Sequence, residues 1–262
     1  MGTIHLCDSE KGGAGKSLWC RVLCQYFIDE GKEFKLVECD RSNADVIAHY
    51  NDIDAEFAVF SEDRRRYAEG DTLFNAATSK DVIVNLPAQV RIPFDNWLEQ
   101  GDILSIALDV DIQFVKWFLV TGGVDSIELF KDSFRKWGKQ IPHVMVKNLY
   151  MANSDEWQGI LEDDQELREI HSKIPSVLFP RFPFGERNKV DRLRMRFDEA
   201  LSSAEFPLIS QSRIKRFLNG CYGEIEKSKI FKEDKKGTSA SASSSPSQKN
   251  EKEQEPEEVT AG

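Results

Sequence analysis

Two kinds of apolar pattern alternate along residues 1–236. Runs that are apolar nearly throughout, at Thr3–Cys7, Glu33–Cys39, Val82–Leu86, Ile103–Leu108, Trp117–Thr121 and His143–Lys147, predict strands buried on both faces. Between the first two, Trp19, Val22, Leu23, Tyr26 and Phe27 recur at helical spacing and Gly31 follows as a stop, which predicts a helix over Ser17–Glu30. Asp125–Trp137 repeats the pattern, with Ile127, Phe130, Phe134 and Trp137 on one face before Gly138. Residues 155–173 and 189–234 read as further helices. Continuous apolar strands separated by amphipathic helices predict an α/β fold, a three-layer, doubly wound, mostly parallel sheet.

Composition changes this picture only at the end of the chain. Residues 237–262 hold six serines and five glutamates, and Val259 is their single large aliphatic residue. Such a segment cannot bury enough apolar surface to offset the entropy of ordering it, so 237–262 is expected to be a disordered tail beyond an ordered domain at 1–236. The tail carries five acids against two lysines, so the rest of the chain keeps most of the formal charge of −10. An acidic chain does not coat DNA by bulk charge. No apolar stretch is long enough for a membrane span, and the first residues lack a secretory pattern, so a cytoplasmic location is expected. The five cysteines form no CxxC pair and are odd in number, which suits small buried residues in a reducing compartment.

The chemistry concentrates between the first strand and the first helix, at Lys11-Gly12-Gly13-Ala14-Gly15-Lys16-Ser17. Where the ordinary phosphate-loop pattern asks for its first glycine the chain has Glu10, yet a variant with a lysine before the glycine pair matches at each fixed position. Glycines let the backbone wrap phosphates so that successive N–H groups point inward at the positive end of the helix dipole. Lys16 is then placed to reach the β and γ phosphates and the Ser17 hydroxyl to ligate Mg²⁺, with Leu18 completing the nucleotide-binding set. No histidine or cysteine spacing suggests a metal cluster, and no nucleophile elbow or dinucleotide fingerprint is present.

This loop resembles the deviant Walker A motif of the ParA/MinD superfamily of P-loop ATPases, with Lys11 at the signature position. The resemblance implies the P-loop NTPase fold, ATP and Mg²⁺ as cofactors, and a homodimer formed on ATP binding, in which Lys11 reaches the partner's phosphates and acts catalytically with Lys16. The second strand ends Glu38-Cys39-Asp40, where the family has D-x-D. Asp40 matches the aspartate implicated in orienting the attacking water and in the metal site. Asp81–Ala88 resembles the Walker B strand and the segment after it, but Asn85 replaces the expected aspartate. An amide can hold a magnesium-bound water without adding charge, so weak metal binding and slow or partner-dependent hydrolysis follow. Glu38 on the neighbouring strand is a candidate to supply the missing charge. Asn148 matches an asparagine that contacts adenine, and the region of Pro175, Pro180 and Pro183 resembles the loop that closes over the base.

Later segments, Val120–Gly123, Phe197–Leu201 and Ser212–Arg216, look like the TraL-type ATPases encoded with conjugative transfer and plasmid-stability genes. The implied function is an ATP-dependent dimeric switch in plasmid conjugal transfer, stability or partition, with a transfer or partition protein as partner. The alternative is a nucleotide-binding interaction module that lacks turnover because of Asn85. A small-molecule ligase or reductase component would need a substrate domain or cluster ligands that are not seen. Non-specific DNA is a further candidate partner, through Arg181, Arg187, Lys189, Arg192, Arg194 and Arg196, continued by Arg213, Lys215 and Arg216.

Overall fold

The computed structural model describes residues 1–63 and 65–231; the Ser/Glu-rich segment 237–262 lies outside the described residues, as do 232–236. Among the described residues, β1 (Thr3–Asp8), β2 (Phe34–Glu38), β3 (Ala55–Phe57), β4 (Asp81–Asn85), β5 (Gln113–Val120), β6 (His143–Asn148) and β7 (Ser176–Phe179) form one sheet. Its order is β3-β2-β4-β1-β5-β6-β7 and each neighbouring pair is parallel. The helices are α1 (Lys16–Asp29), α2 (Asp45–His49), α3 (Asp71–Ala77), α4 (Arg91–Gln100), α5 (Ile103–Asp109) and α6 (Val124–Trp137). They continue with α7 (Ser154–Asp163), α8 (Gln165–His171), α9 (Phe184–Leu193), α10 (Phe197–Ser202) and α11 (Leu208–Ser228). Residues Met1–Ile230 make up one unit, the doubly wound α/β layer structure that the strand and helix patterns predict.

Alternation along the strands divides the core between the two faces. Ile4 and Leu6 of β1, Val82 and Val84 of β4 pack with Phe94, Trp97 and Ile103 beneath α4 and α5. His5 points the other way and meets the Phe27 ring of α1 at 5.5 Å. Trp19, on the same side of α1, lies 5.1 Å from Phe179 of β7 and 5.7 Å from Trp117 of β5. With both faces covered, the strands read as continuous apolar runs. A second cluster joins Phe118 and Met145 to Phe130, Trp157 and Leu167, under α6, α7 and α8.

One predicted strand is wrong. Ile103–Leu108 forms α5, in which Ile103 and Ala107 are buried while Ile106 and Leu108 are exposed. That one-sided burial at a spacing of four is helical, and Leu and Ala favour a helix; a six-residue apolar run does not separate the two states by composition alone. The true strand, β5, begins at Gln113 and so earlier than expected, because it contains a buried lysine. Lys116 pairs with Asp8 of β1 at 3.0 Å, with both side chains under a tenth exposed. The short strands β3 and β7 were not foreseen, and the predicted helix over 189–234 breaks into α9, α10 and α11. Arg194 closes α9 in the left-handed conformation and Pro207 precedes α11.

Both edges of the sheet are modified. β3 is three residues long, and its Glu56 is held by Lys35 of β2 at 2.7 Å. At the other edge the Leu178 N–H of β7 donates to Glu224 Oε2 of α11 at 2.8 Å.

Candidate nucleotide site

The chain leaves β1 at the centre of the sheet and turns through Ser9–Gly15 into α1, near the point where successive connections run to opposite sides. Ligands of open α/β sheets gather at such a switch point. The turn depends on Gly13 and Gly15, at φ 74° and 98°, a region that L side chains rarely adopt. At Gly15, the residue before α1, a Cβ would stand 3.1 Å from Asn148 Nδ2 and 3.4 Å from Phe179. Lys16 is buried, and its ammonium donates to the carbonyls of Ser9 at 2.9 Å and Lys11 at 3.4 Å. Burial lowers its pKa, while the carboxylates of Asp8, Asp40 and Glu10 pull the other way.

A crevice of about 340 Å³ opens over this turn. Gly12, Gly13, Gly15, Lys16, Ser17 and Leu18 form one wall, Asp40 and Asn43 the next, and Asn148, Phe179, Pro180 and Phe182 the far side. Asp40 Oδ1 accepts from the Ser42 hydroxyl at 2.6 Å and the Asn43 N–H at 3.1 Å, which fixes its carboxylate at the rim. Lys11 does not face this crevice. It lies on the outer side of the turn, beside Gly122, Gly123 and Met151, 3.6 Å from the exposed Asp125 carboxylate. Ala14 is buried beneath the turn.

Asn148 lines the crevice, and part of its amide is tied to the protein. Nδ2 donates to the Ala14 carbonyl at 2.8 Å and Oδ1 accepts from the Tyr150 N–H at 2.8 Å, so the side chain braces the phosphate turn. Asn85 is fully buried at the end of β4; its Nδ2 donates to Glu38 Oε1 at 2.8 Å, while Oδ1 is buried without a partner among the described residues. Glu38, the candidate to supply the charge that Asn85 lacks, is itself fully buried at the end of β2. Oε1 also accepts from the Asp40 N–H at 3.0 Å and Oε2 from the Val46 N–H at 3.3 Å, leaving both oxygens turned to protein. Burial, and then Cys20, push its pKa up to about 8 against these hydrogen bonds.

Among the described residues no three His, Cys, Asp or Glu side chains group to hold a metal. The five cysteines are buried and free, as their spacing suggested. Magnesium at a phosphate loop needs only one or two protein groups beside phosphate and water. Ser17 and Asp40 on the crevice wall fit that requirement, whereas Asn85 is fully buried and does not line the crevice.

The crevice also contains residues outside the nucleotide motifs: Arg21 of α1, Asp45 of α2, Asp191 of α9 and Arg187 of α9, the last named above only for DNA. Arg21 interrupts an otherwise apolar run of buried residues on α1, four positions after Ser17, and that interruption was legible. Four of the nine residues of the basic stretch have acidic partners, and among the described residues Arg192, Arg194, Lys215 and Arg216 have none. Arg196 pairs with Asp52 and Asp198, Lys189 with Glu205, Arg213 with Glu186, and Arg187 with Asp191, while Arg181 donates to the Leu149 carbonyl. No helix among the described residues is long and apolar enough to cross a membrane.

No protein-family profile matches the chain. It is 22% identical to protein TraL of Escherichia coli over 88% of this chain and 100% of TraL. Protein MobD of Acidithiobacillus ferrooxidans is 23% identical over 83% of this chain and 93% of its own length. A plasmid partition protein of Borrelia burgdorferi, solved with AMPPNP, superposes with a TM-score of 0.53 at 16% identity, covering 86% of this chain and 98% of that one. The MinC:MinD cell division complex of Aquifex aeolicus gives 0.51 at 12% identity, covering 85% and 96%. The chain has the MinD/ParA-type P-loop NTPase fold, and its relatives in sequence are TraL and MobD.

Proposed function

We propose that the chain is an ATP-binding molecular switch of the ParA/MinD type, in which Mg²⁺ and ATP bind in the crevice and drive two copies together. Slow hydrolysis then separates them, in the service of plasmid transfer, stability or partition in the cytoplasm. The observation that carries this reading is the phosphate turn itself: two glycines in the left-handed region and a buried lysine at the head of a crevice of about 340 Å³. Backbone N–H groups of that turn and the Lys16 ammonium would receive the phosphates, after Lys16 leaves the carbonyls of Ser9 and Lys11. Ser17 and Asp40 would hold Mg²⁺, which neutralises charge on the β and γ phosphates. Lys11 is already on the outer side of the turn, next to exposed Val124, Tyr150 and Met151, an apolar rim suited to a second copy. Likeness to a partition protein solved with AMPPNP supports the nucleotide, and likeness to TraL and MobD supports the plasmid setting. Non-specific DNA stays a candidate partner in this reading, through Arg192, Arg194, Lys215 and Arg216, which have no acidic partner among the described residues.

A second reading, a nucleotide-dependent interaction module without turnover, is favoured by the burial of Asn85 against Glu38. Light-scattering mass and phosphate release, measured with and without ATP and Mg²⁺, separate the two. The switch predicts a dimer with ATP, loss of nucleotide binding in Lys16→Ala, loss of the dimer in Lys11→Ala, and a dimer without phosphate release in Asp40→Ala. A wild-type dimer that releases no phosphate leaves the module reading. A wild type that binds no nucleotide sinks both.

A further inference from the structure

Arg21 is the least expected group in the crevice. Its side chain is 3% exposed, and Nη1 donates to Asp191 Oδ1 at 2.8 Å and lies 3.4 Å from Asp45 Oδ2 and 3.1 Å from His49 Nε2. The guanidinium stands 5.4 Å from the Phe197 ring centre. Nη2, in contrast, is buried with no hydrogen-bond partner among the described residues. A buried guanidinium donor left unmet is costly and rare, and a ligand oxygen would remove the deficit. Arg21 lines the same crevice as the phosphate turn, four residues and so about 6 Å along the helix from Ser17. With phosphates on the turn, that distance brings the next part of a nucleotide, its sugar, to Arg21, and leaves Phe179, Pro180 and Phe182 for the base.

The charges select the kind of group. Arg21 of α1 pairs with Asp45 of α2 and with Asp191 of α9, which also pairs with Arg187 on its own helix, so the four side chains at this end of the crevice balance. A further phosphate would meet two carboxylates, whereas a pair of neutral hydroxyls can accept from Nη2 and donate to a carboxylate. We propose that Arg21, with Asp45 and Asp191, forms a sugar subsite that recognises the ribose hydroxyls and discriminates ribonucleotides from deoxyribonucleotides. The proposal rests on the nucleotide-binding reading of the crevice. A site built to hydrogen-bond a hydroxyl rejects the analogue that lacks it, since its buried polar groups are then unpaired.

Calorimetric titration of the full chain with ADP, 2′-deoxy-ADP and 3′-deoxy-ADP in Mg²⁺ tests it without the complication of hydrolysis. 2′-Deoxy-ADP should bind about tenfold or more weakly than ADP, and a loss confined to 3′-deoxy-ADP overturns the discrimination. Arg21→Lys should bring the ratio within about twofold, by weakening ADP and leaving the deoxy analogue nearly unchanged. If burial of Arg21 makes that variant unstable, Asp191→Asn, at a partly exposed position, should compress the same ratio. Equal binding of all three nucleotides by the wild-type chain overturns the sugar subsite and leaves the nucleotide reading standing. Binding of none overturns both.

Discussion

Asn85 and Glu38 act as one unit, and each makes sense of the other. A carboxylate at position 85 would lie at hydrogen-bond distance from Glu38, 2.8 Å, and both could not ionise without strong repulsion. The folded pKa of Glu38, about 8, lies above its ordinary 4.5, so the native state keeps a proton that the unfolded chain releases. Its contribution to stability therefore falls as pH rises from about 4.5 to about 8 and is level above that. Glu38→Gln is expected to remove this fall, so urea unfolding at pH 5 and pH 8 should shift in the variant's favour at the higher pH, by no more than about 1.4 kcal/mol per pH unit. A difference that ignores pH would contradict it. Asn85→Asp should do the reverse, losing stability as pH rises. Gly15→Ala is expected to cost about 1–2 kcal/mol for its left-handed backbone alone, and to push Asn148 off the Ala14 carbonyl; unfolding free energy measures the first effect. The glycine turn and the Asn85 substitution were legible in the sequence because the first matches a pattern of fixed positions and the second departs from one at a single position. The protein partners of Glu38 and Asn148 were not, because residue type does not say which way an amide or carboxylate points.

At the level of elements, burial on both faces made most strands readable, and the exceptions are physical. α5 has a strand's apolar density over too short a run for periodicity to decide, and β3 and β7 are short edge strands with little to bury. β5 was cut short by Lys116, which reads as a surface residue but is an interior one neutralised by Asp8 on the adjacent strand. Removing one member of such a pair leaves a buried charge uncompensated. Lys116→Met should cost about 3–5 kcal/mol in denaturant unfolding, whereas Asp8→Asn with Lys116→Met should recover most of that loss. A double variant no better than the single one would mean that the lysine stem's packing, rather than its charge, is what β1 and β5 require.

Over the whole molecule, composition located the change at residue 237 and the structure assigns Met1–Ile230 to one unit. A chain ended after Phe231 is expected to keep the full chain's thermal midpoint within about one degree, read by calorimetry, because the residues removed bring almost no apolar surface to bury. A drop of several degrees would show that the segment contributes to the fold. The treatment of the sheet margins has a consequence for assembly. An open parallel sheet offers rows of unpaired amides from which chains can polymerise strand to strand. Here one margin ends in three residues guarded by charge, and the other spends a strand amide on the Glu224 carboxylate. Growth into a β-linked fibre is thus opposed at both margins, by charge at one and by a spent amide at the other.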